Sequence, residues 1–486
     1  MSATHDHNDP RVRELHAVIR RASQLAIDWT ERLPERPINA GATPDEMAGI
    51  LDRPLPEAGT DPDAVLTEWL ELAEPGIVTS NGPRYFGFVT GGALPGALGG
   101  DWLASTIDQN GGIWSMSPAG AQTELTVIRW LKELFSLPAA WPGVITSGAT
   151  MSNQVGLAAA RQWAGERLGF NPAEDGLGGR PPISVVSSTA IHASARKALG
   201  NLGLGRQAVR AVPAPGGVVD VEALRRAVEG IEGPVIVVAN AGEVNSGQFD
   251  DLEAVADICA SHPAGAWMHV DGAFGLFAAA SSDYRDRVTG IERADSVAAD
   301  AHKWLNVPYD SGFAFVRDER SLRSAFATSG AAYLAGSGGW DADDFSAEMS
   351  RRVRAIPAWC ALRSLGRAGY RELIDRCIAN AIKLARWIDE QPWLELMNAE
   401  RMRETPFMVV CARFTDPSWD DDEHDRRNRE LLAALQADGR IYASTTTWEG
   451  KAAMRFAFDN WMTTDADVET AFDAIRDVHG GAVLAD

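Results

Sequence analysis

The chain has 486 residues, 45% of them hydrophobic, and a formal net charge of −22. That length exceeds what one hydrophobic core can organise and predicts a large domain with smaller partners, while the charge argues against nucleic acid or an anionic membrane, either of which binds through a basic patch. No run approaches the roughly 20 apolar residues that cross a bilayer, the first ten residues are polar, and Cys259, Cys360, Cys377 and Cys411 lie too far apart for a zinc or disulfide framework, so a cytoplasmic location and no metal are expected.

Residues 12–33 repeat apolar side chains at helical spacing, 34–62 are rich in Pro, Gly and Asp, and a further helix is expected near 64–72. Gly and aromatic residues mark 84–112, and helical spacing returns over 123–135. From about 143 the pattern changes to short β-branched runs alternating with helices, the form of a mostly parallel α/β sheet. Strands are expected at 144–146, 183–187, 235–239, 267–270, 296–298 and 312–316, and helices at 153–167, 223–228 and 252–261. Long helices follow at 351–365 and 370–390, then an α+β unit with strands 407–414 and 452–458 and helices 425–438 and 466–478. The expected division is a helical arm over 1–83, a large α/β domain over 84–390 and a C-terminal α+β domain over 391–486.

Four motifs carry chemistry. The segment from Thr146 to Asn153 sits where a strand runs into a helix, so backbone N–H groups at a helix start, with the hydroxyls of Ser147 and Thr150, can cradle a phosphate. A tightly packed turn would use the same small residues. Neither GxxxxGK[ST] nor GxGxxG is present, and Gly203-Leu204-Gly205 reads as a turn.

Asp271, in His269-Val270-Asp271-Gly272-Ala273, ends an apolar run at the sheet edge where α/β proteins place ligands. Its carboxylate can pair with the pyridinium nitrogen of pyridoxal 5′-phosphate, with Ala273 small enough for a ring to lie against, or it can merely cap a loop. His192, after the strand ending near 187, can stack on a flat cofactor, although a lone histidine is more often structural.

Lysine supplies the sharpest signal. Only five occur, Lys132, Lys197, Lys303, Lys383 and Lys451. Lys303 directly follows a buried strand and is flanked by His302 and Trp304, a setting that desolvates an amine enough to form a Schiff base. Lys132 and Lys383 fall on amphipathic helices and Lys451 in a turn, where lysines are usually solvated; Lys197, shortly after His192, is less easily dismissed, and position within the α/β block favours Lys303.

With SGATMSN (147–153), HASARKA (192–198), NAGEVNSGQFDD (240–251), HVDGA (269–273) and SVAADAHKW (296–304), the chain resembles the group II pyridoxal-phosphate-dependent amino-acid decarboxylases, the family of aromatic-L-amino-acid, histidine and glutamate decarboxylases. RYFGF (84–88), SPAGAQTE (117–124), RRVRAIPAW (351–359) and FDNWMTT (458–464) extend the likeness over most of the chain. The resemblance implies an aspartate-aminotransferase-like α/β fold (fold type I) with a mostly parallel central sheet. It also implies a homodimer with shared active sites, in which 110–114 reaches the neighbouring subunit. The implied cofactor contacts are Gly148, Ala149, Thr150, His192, Asn240, Asp271, Ala273, Asp300, His302 and Lys303. The implied catalytic set is Lys303 as Schiff-base lysine, Asp271 on the ring nitrogen, His192 on the ring face, His302 beside the reacting centre, and Tyr333 as proton donor. The implied reaction is decarboxylation of an L-amino acid.

Three departures stand out. Asn240 occupies the place of a usual Thr and Glu243-Val244 that of a Thr pair, which puts a carboxylate near the site wall. Ser311 replaces a common Cys or Ala. The loop 328–349 looks short, and Tyr333 lacks its usual flanks, although Trp340 and Phe345 are expected to help close it. Loss of the tyrosine's role would favour an oxygen-consuming route to an aldehyde. Transamination on the same fold, and more remotely a non-catalytic or NAD-linked protein, are the alternatives.

Overall fold

The computed structural model describes residues 9–327 and 338–483. Three helices open it, α1 (Pro10–Arg32), α2 (Pro44–Leu51) and α3 (Pro62–Ala73). The second lies inside the stretch expected to be irregular. Its start is fixed by a capping box in which Thr43 and Glu46 satisfy each other's backbone N–H. Next come α4 (Pro95–Ile107) and α5 (Pro118–Leu134), then β1 (Gly143–Thr146), α6 (Ala149–Arg167) and the short α7 (Pro172–Asp175).

The central sheet continues through β2 (Ser184–Ser188), β3 (Val209–Val212), β4 (Val235–Asn240), β5 (Ala266–Asp271), β6 (Ser296–Asp300) and β7 (Gly312–Val316). Its order is β1-β7-β6-β5-β4-β2-β3. Strands β3, β2, β4, β5 and β6 are mutually parallel, and β7 runs antiparallel to both neighbours. Every expected strand of this sheet is present. The added β3 escaped notice because it is a four-residue edge strand with Arg210 and Ala211 exposed, so neither alternation nor a buried run marks it.

Helices α8 (Ala193–Asn201), α9 (Val221–Glu229), α10 (Leu252–Ser261) and α11 (Glu319–Phe326) accompany the sheet. The long α12 (Ala355–Asp389) breaks at Gly366, where φ is +61°, so the two expected helices meet end to end. A second, antiparallel sheet of β8 (Leu394–Leu396), β9 (Val409–Phe414), β10 (Ser444–Trp448) and β11 (Lys451–Ala457) has the order β10-β11-β9-β8. It packs against α12 and α14 (Asp421–Asp438), while α13 (Ala399–Glu404) packs on α12 and α15 (Asp465–Val483) on both helices. No helix among the described residues is long and apolar enough to cross a membrane.

The register decides where the chemistry gathers. Asn240 lies opposite Asp271, and Asp271 opposite Ala298, so the C-terminal ends of β4, β5 and β6 form one edge. Strands this deeply buried cannot solvate polar side chains, and their polar residues collect where the chain leaves the sheet.

Candidate active site

A cleft of about 780 Å³ opens on that edge and is lined by Gly148, Ala149, Thr150, His192, Ala273, Asp300, His302 and Lys303. Of the five lysines, Lys303 alone lines it. Its side chain is only 15% exposed, with Nζ 3.1 Å from Asp300 Oδ2 and 5.6 Å from the centre of the Phe274 ring. The competitors are placed elsewhere. Lys197 is exposed on α8, and Lys383 pairs with Asp465 and Glu469. Lys132 is buried rather than solvated, because its ammonium donates to the carbonyls of Ala139 and Trp141 at 2.6 Å each.

Strand β1 delivers the turn into α6. Gly148 has φ +141°, and a side chain there would press against Asp300 and His302. No side chain caps α6, so its first turn keeps backbone N–H groups for an anion. Ala149 is an exception, since its N–H already donates to Asp300 Oδ1. Asn240 adds a buried Nδ2 with no partner among the described residues. The donor set, an uncapped helix start, an orphaned amide, a half-desolvated lysine and a carboxylate at the end of β5, fits pyridoxal 5′-phosphate.

His192 is the N-cap of α8. Its Nδ1 accepts from the Ser194 N–H at 3.2 Å and meets Ser194 Oγ at 2.7 Å, which leaves Nε2 for the cleft. His302 contacts the Ser311 carbonyl through Nδ1 at 3.1 Å and stacks on Tyr309 at 4.3 Å. A carbonyl only accepts, so Nδ1 carries the proton and Nε2 is the basic nitrogen. Burial lowers the His302 pKa, opposed by Asp300.

Several site features were missed or misread in the sequence. Tyr309 lines the cleft, its hydroxyl 3.3 Å from Thr90 Oγ1; Tyr85, from the aromatic stretch 84–88 that the sequence did single out, lines it too and stacks on Tyr442 at 4.9 Å. Arg455 from β11 lines the same wall, with a buried Nε that has no partner among the described residues and Nη groups on the carbonyls of Val244 and Phe88. Glu243 does not offer a carboxylate to this cleft. It is consumed by its own turn, accepting from the N–H groups of Asn245 and Ser246, the Ser246 hydroxyl and the Asn245 amide. Phe345 is buried in the core and stacks with Trp340 at 5.6 Å, so this pair packs near α11 and not over the cleft. Tyr333 lies outside the described residues.

Asp459, just after β11, is buried, with Oδ2 unpartnered among the described residues. Burial pushes its carboxyl up to about 7, against the pull of the Lys303 charge and two backbone N–H bonds. The folded state therefore holds this proton where the unfolded chain has released it, and the stability it contributes at low pH is lost as pH rises from about 4 to about 7. Asp459→Asn is expected to raise the melting temperature at pH 8 and change little at pH 4, the gain being at most on the order of 4 kcal/mol. Equal shifts at both pH values would show that the carboxyl is not so perturbed.

Residues 44–413 match the family model described as the pyridoxal-dependent decarboxylase conserved domain. An aromatic-L-amino-acid decarboxylase from Bacillus atrophaeus is 28% identical, over 92% of each chain. An L-2,4-diaminobutyrate decarboxylase from Rhizobium meliloti is 30% identical, covering 95% of this chain and 92% of its own. The solved structure of Oryza sativa TDC with PLP and tryptamine superposes with a TM-score of 0.89 at 25% identity, over 96% of this chain and 98% of that one. The expected aspartate-aminotransferase-like fold, with its small C-terminal sheet, is thereby borne out.

Proposed function

The chain belongs to the pyridoxal-dependent decarboxylase family, a carboxy-lyase that uses pyridoxal 5′-phosphate, and from that premise we propose that Lys303 holds the cofactor as a Schiff base while an L-amino acid loses its α-carboxylate as CO₂. The observation that carries this reading is the meeting, in one cleft, of Lys303 with the uncapped start of α6 and with Ala273, whose N–H is held by the Asp271 carboxylate just behind the cleft wall.

When bound, the cofactor supplies a protonated ring that accepts the electron pair released with CO₂. The chain's own residues do the rest. The first turn of α6 would hold the phosphate, Asp271 would keep the ring nitrogen protonated, His192 would cover the ring face, and Lys303 would supply the amine that binds the cofactor. Arg455, a cation with an unused N–H on the cleft wall, anchors a substrate carboxylate; an unchanged KM in Arg455→Leu would remove that role. A phenol or imidazole must then return a proton to the α-carbon. Tyr333 is the proposed donor, with His302 next, its basic Nε2 lying 3.6 Å from Asp300.

The expected product is the amine. Incubating the holoenzyme with the common amino acids in air, and measuring CO₂, amine and peroxide together, tests it: CO₂ and amine should rise one to one. Peroxide equal to CO₂ would instead indicate the oxidative route to an aldehyde, and neither gas nor amine would leave transamination.

The active unit is proposed to be a homodimer. No residue of α1 is buried in the single chain, and Val12, Leu15, Ile19 and Ile27 are exposed on it, an apolar helix face that needs a partner. Residues 110–114 would then approach the second active site. A monomer with full turnover in dilute solution would contradict this.

A further inference from the structure

Behind Asp271 runs a line of buried polar side chains. Trp267 Nε1 lies 2.8 Å from Ser296 Oγ, which lies 2.8 Å from His269 Nδ1. His269 Nε2 lies 2.8 Å from Asn153 Oδ1, and Asn153 Nδ2 lies 2.9 Å from Asp271 Oδ2. Asn153, His269 and Ser296 have no exposed surface. In such surroundings an unmade hydrogen bond is costly, so the direction of each one can be deduced.

The indole N–H can only donate, and the carboxylate can only accept. Asn153 therefore turns its amide NH₂ to Asp271 and its carbonyl to His269. That carbonyl must receive a proton, which places the imidazole N–H on Nε2. Burial depresses His269 to about 4 despite the nearby Asp271 charge, so the ring stays neutral, and its Nδ1 accepts from the Ser296 hydroxyl. All four bonds point the same way, each group donating to the next one nearer Asp271, and such aligned bonds polarise one another. The second N–H of Asn153 reaches Ser194 Oγ at 3.1 Å, the group that also holds His192. Close approach of α6 is required, and a Cβ on Gly156 would stand 2.8 Å from the His269 ring.

We propose that Asn153 is a positioning residue that holds Asp271 ionised and aimed at the cofactor ring, and that His269, fixed by Ser296 and Trp267, sets the direction of the Asn153 amide. The inference rests on the reading of Asp271 as the ring-nitrogen partner. Ionisable neighbours of that carboxylate are His269 on its own strand and His192 at the start of α8, joined to it through Asn153 and Ser194.

The test is titration of pyridoxal 5′-phosphate into cofactor-stripped protein across pH 6 to 9, read by absorption, alongside kcat and KM. Asn153→Asp keeps the shape but sets two carboxylates against each other, so one of them takes up a proton. Affinity is expected to fall about tenfold or more, with kcat reduced and KM nearly unchanged. His269→Leu should show a similar loss, and His269→Gln, whose amide can replace the Nε2 donor, should recover most of it. A purely structural role would lower the melting temperature without changing the pH dependence of the bound cofactor's absorption. Should His269→Leu not fold, Asn153→Asp decides alone: wild-type affinity and pH profile there, with Asp271→Asn impaired, overturns the proposal. Wild-type behaviour of Asp271→Asn overturns the underlying reading of Asp271 instead.

Discussion

Lys303→Ala is expected to abolish decarboxylation, by at least about 10³-fold or roughly 4 kcal/mol, and to remove the cofactor adduct that borohydride fixes on the wild-type chain. The size of the effect follows from the absence of a substitute. A covalent partner for the cofactor must be an amine that is partly desolvated and within reach of the cleft. Lys197 is exposed on α8, Lys132 is tied to two carbonyls, and Lys383 is paired with two carboxylates. None can stand in without moving its helix. Mass spectrometry of the reduced protein checks the assignment, and an adduct surviving on Lys197 would refute it. Folding should be little affected, because the contacts of the ammonium among the described residues are Asp300 at 3.1 Å and the Phe274 face.

Asp271→Asn is expected to weaken cofactor retention and lower turnover by roughly 10²–10⁴-fold, the range that follows from removing one partner of a buried charged pair at about 3–5 kcal/mol. The carboxylate is buried at the end of β5, where it accepts from Asn153 Nδ2 and from the Ala273 N–H at 3.2 Å. An amide of the same shape cannot keep a proton on a ring nitrogen, and its NH₂ would face the Asn153 NH₂. Rates and absorption spectra of the variant measured beside the wild type supply the check. Equal turnover would remove the ionic role given to Asp271.

Much of the fold was legible because its strands are short and wholly buried. Runs such as Val235–Asn240, with every residue inside, appear in the sequence as uninterrupted β-branched stretches between helical ones. Edge elements were not legible. β3 is half exposed, while β8 has three residues and β10 alternates in exposure, so none carries a continuous apolar run. Lys303 was legible for a chemical reason: a lysine directly after a buried strand has no surface to escape to, and the chain has only four others.

What the tertiary structure alone decided is the use made of each polar group. Sequence placed Lys132 on an amphipathic helix but could not tell that two carbonyls from residues 139 and 141 fold back over its ammonium. It placed Glu243 near the site wall, yet the turn at 243–246 closes on that carboxylate and consumes it. Asn153, His269 and Ser296 come from α6, β5 and β6, and they act together only because neighbouring strands and the helix beside them bring residues 27 to 118 positions apart within 3 Å. Residue type and local periodicity fix which segments are helix or strand and which amine can react. The partner of a buried donor or acceptor is fixed by packing, since inside the protein that partner must come from whichever distant segment the fold sets against it.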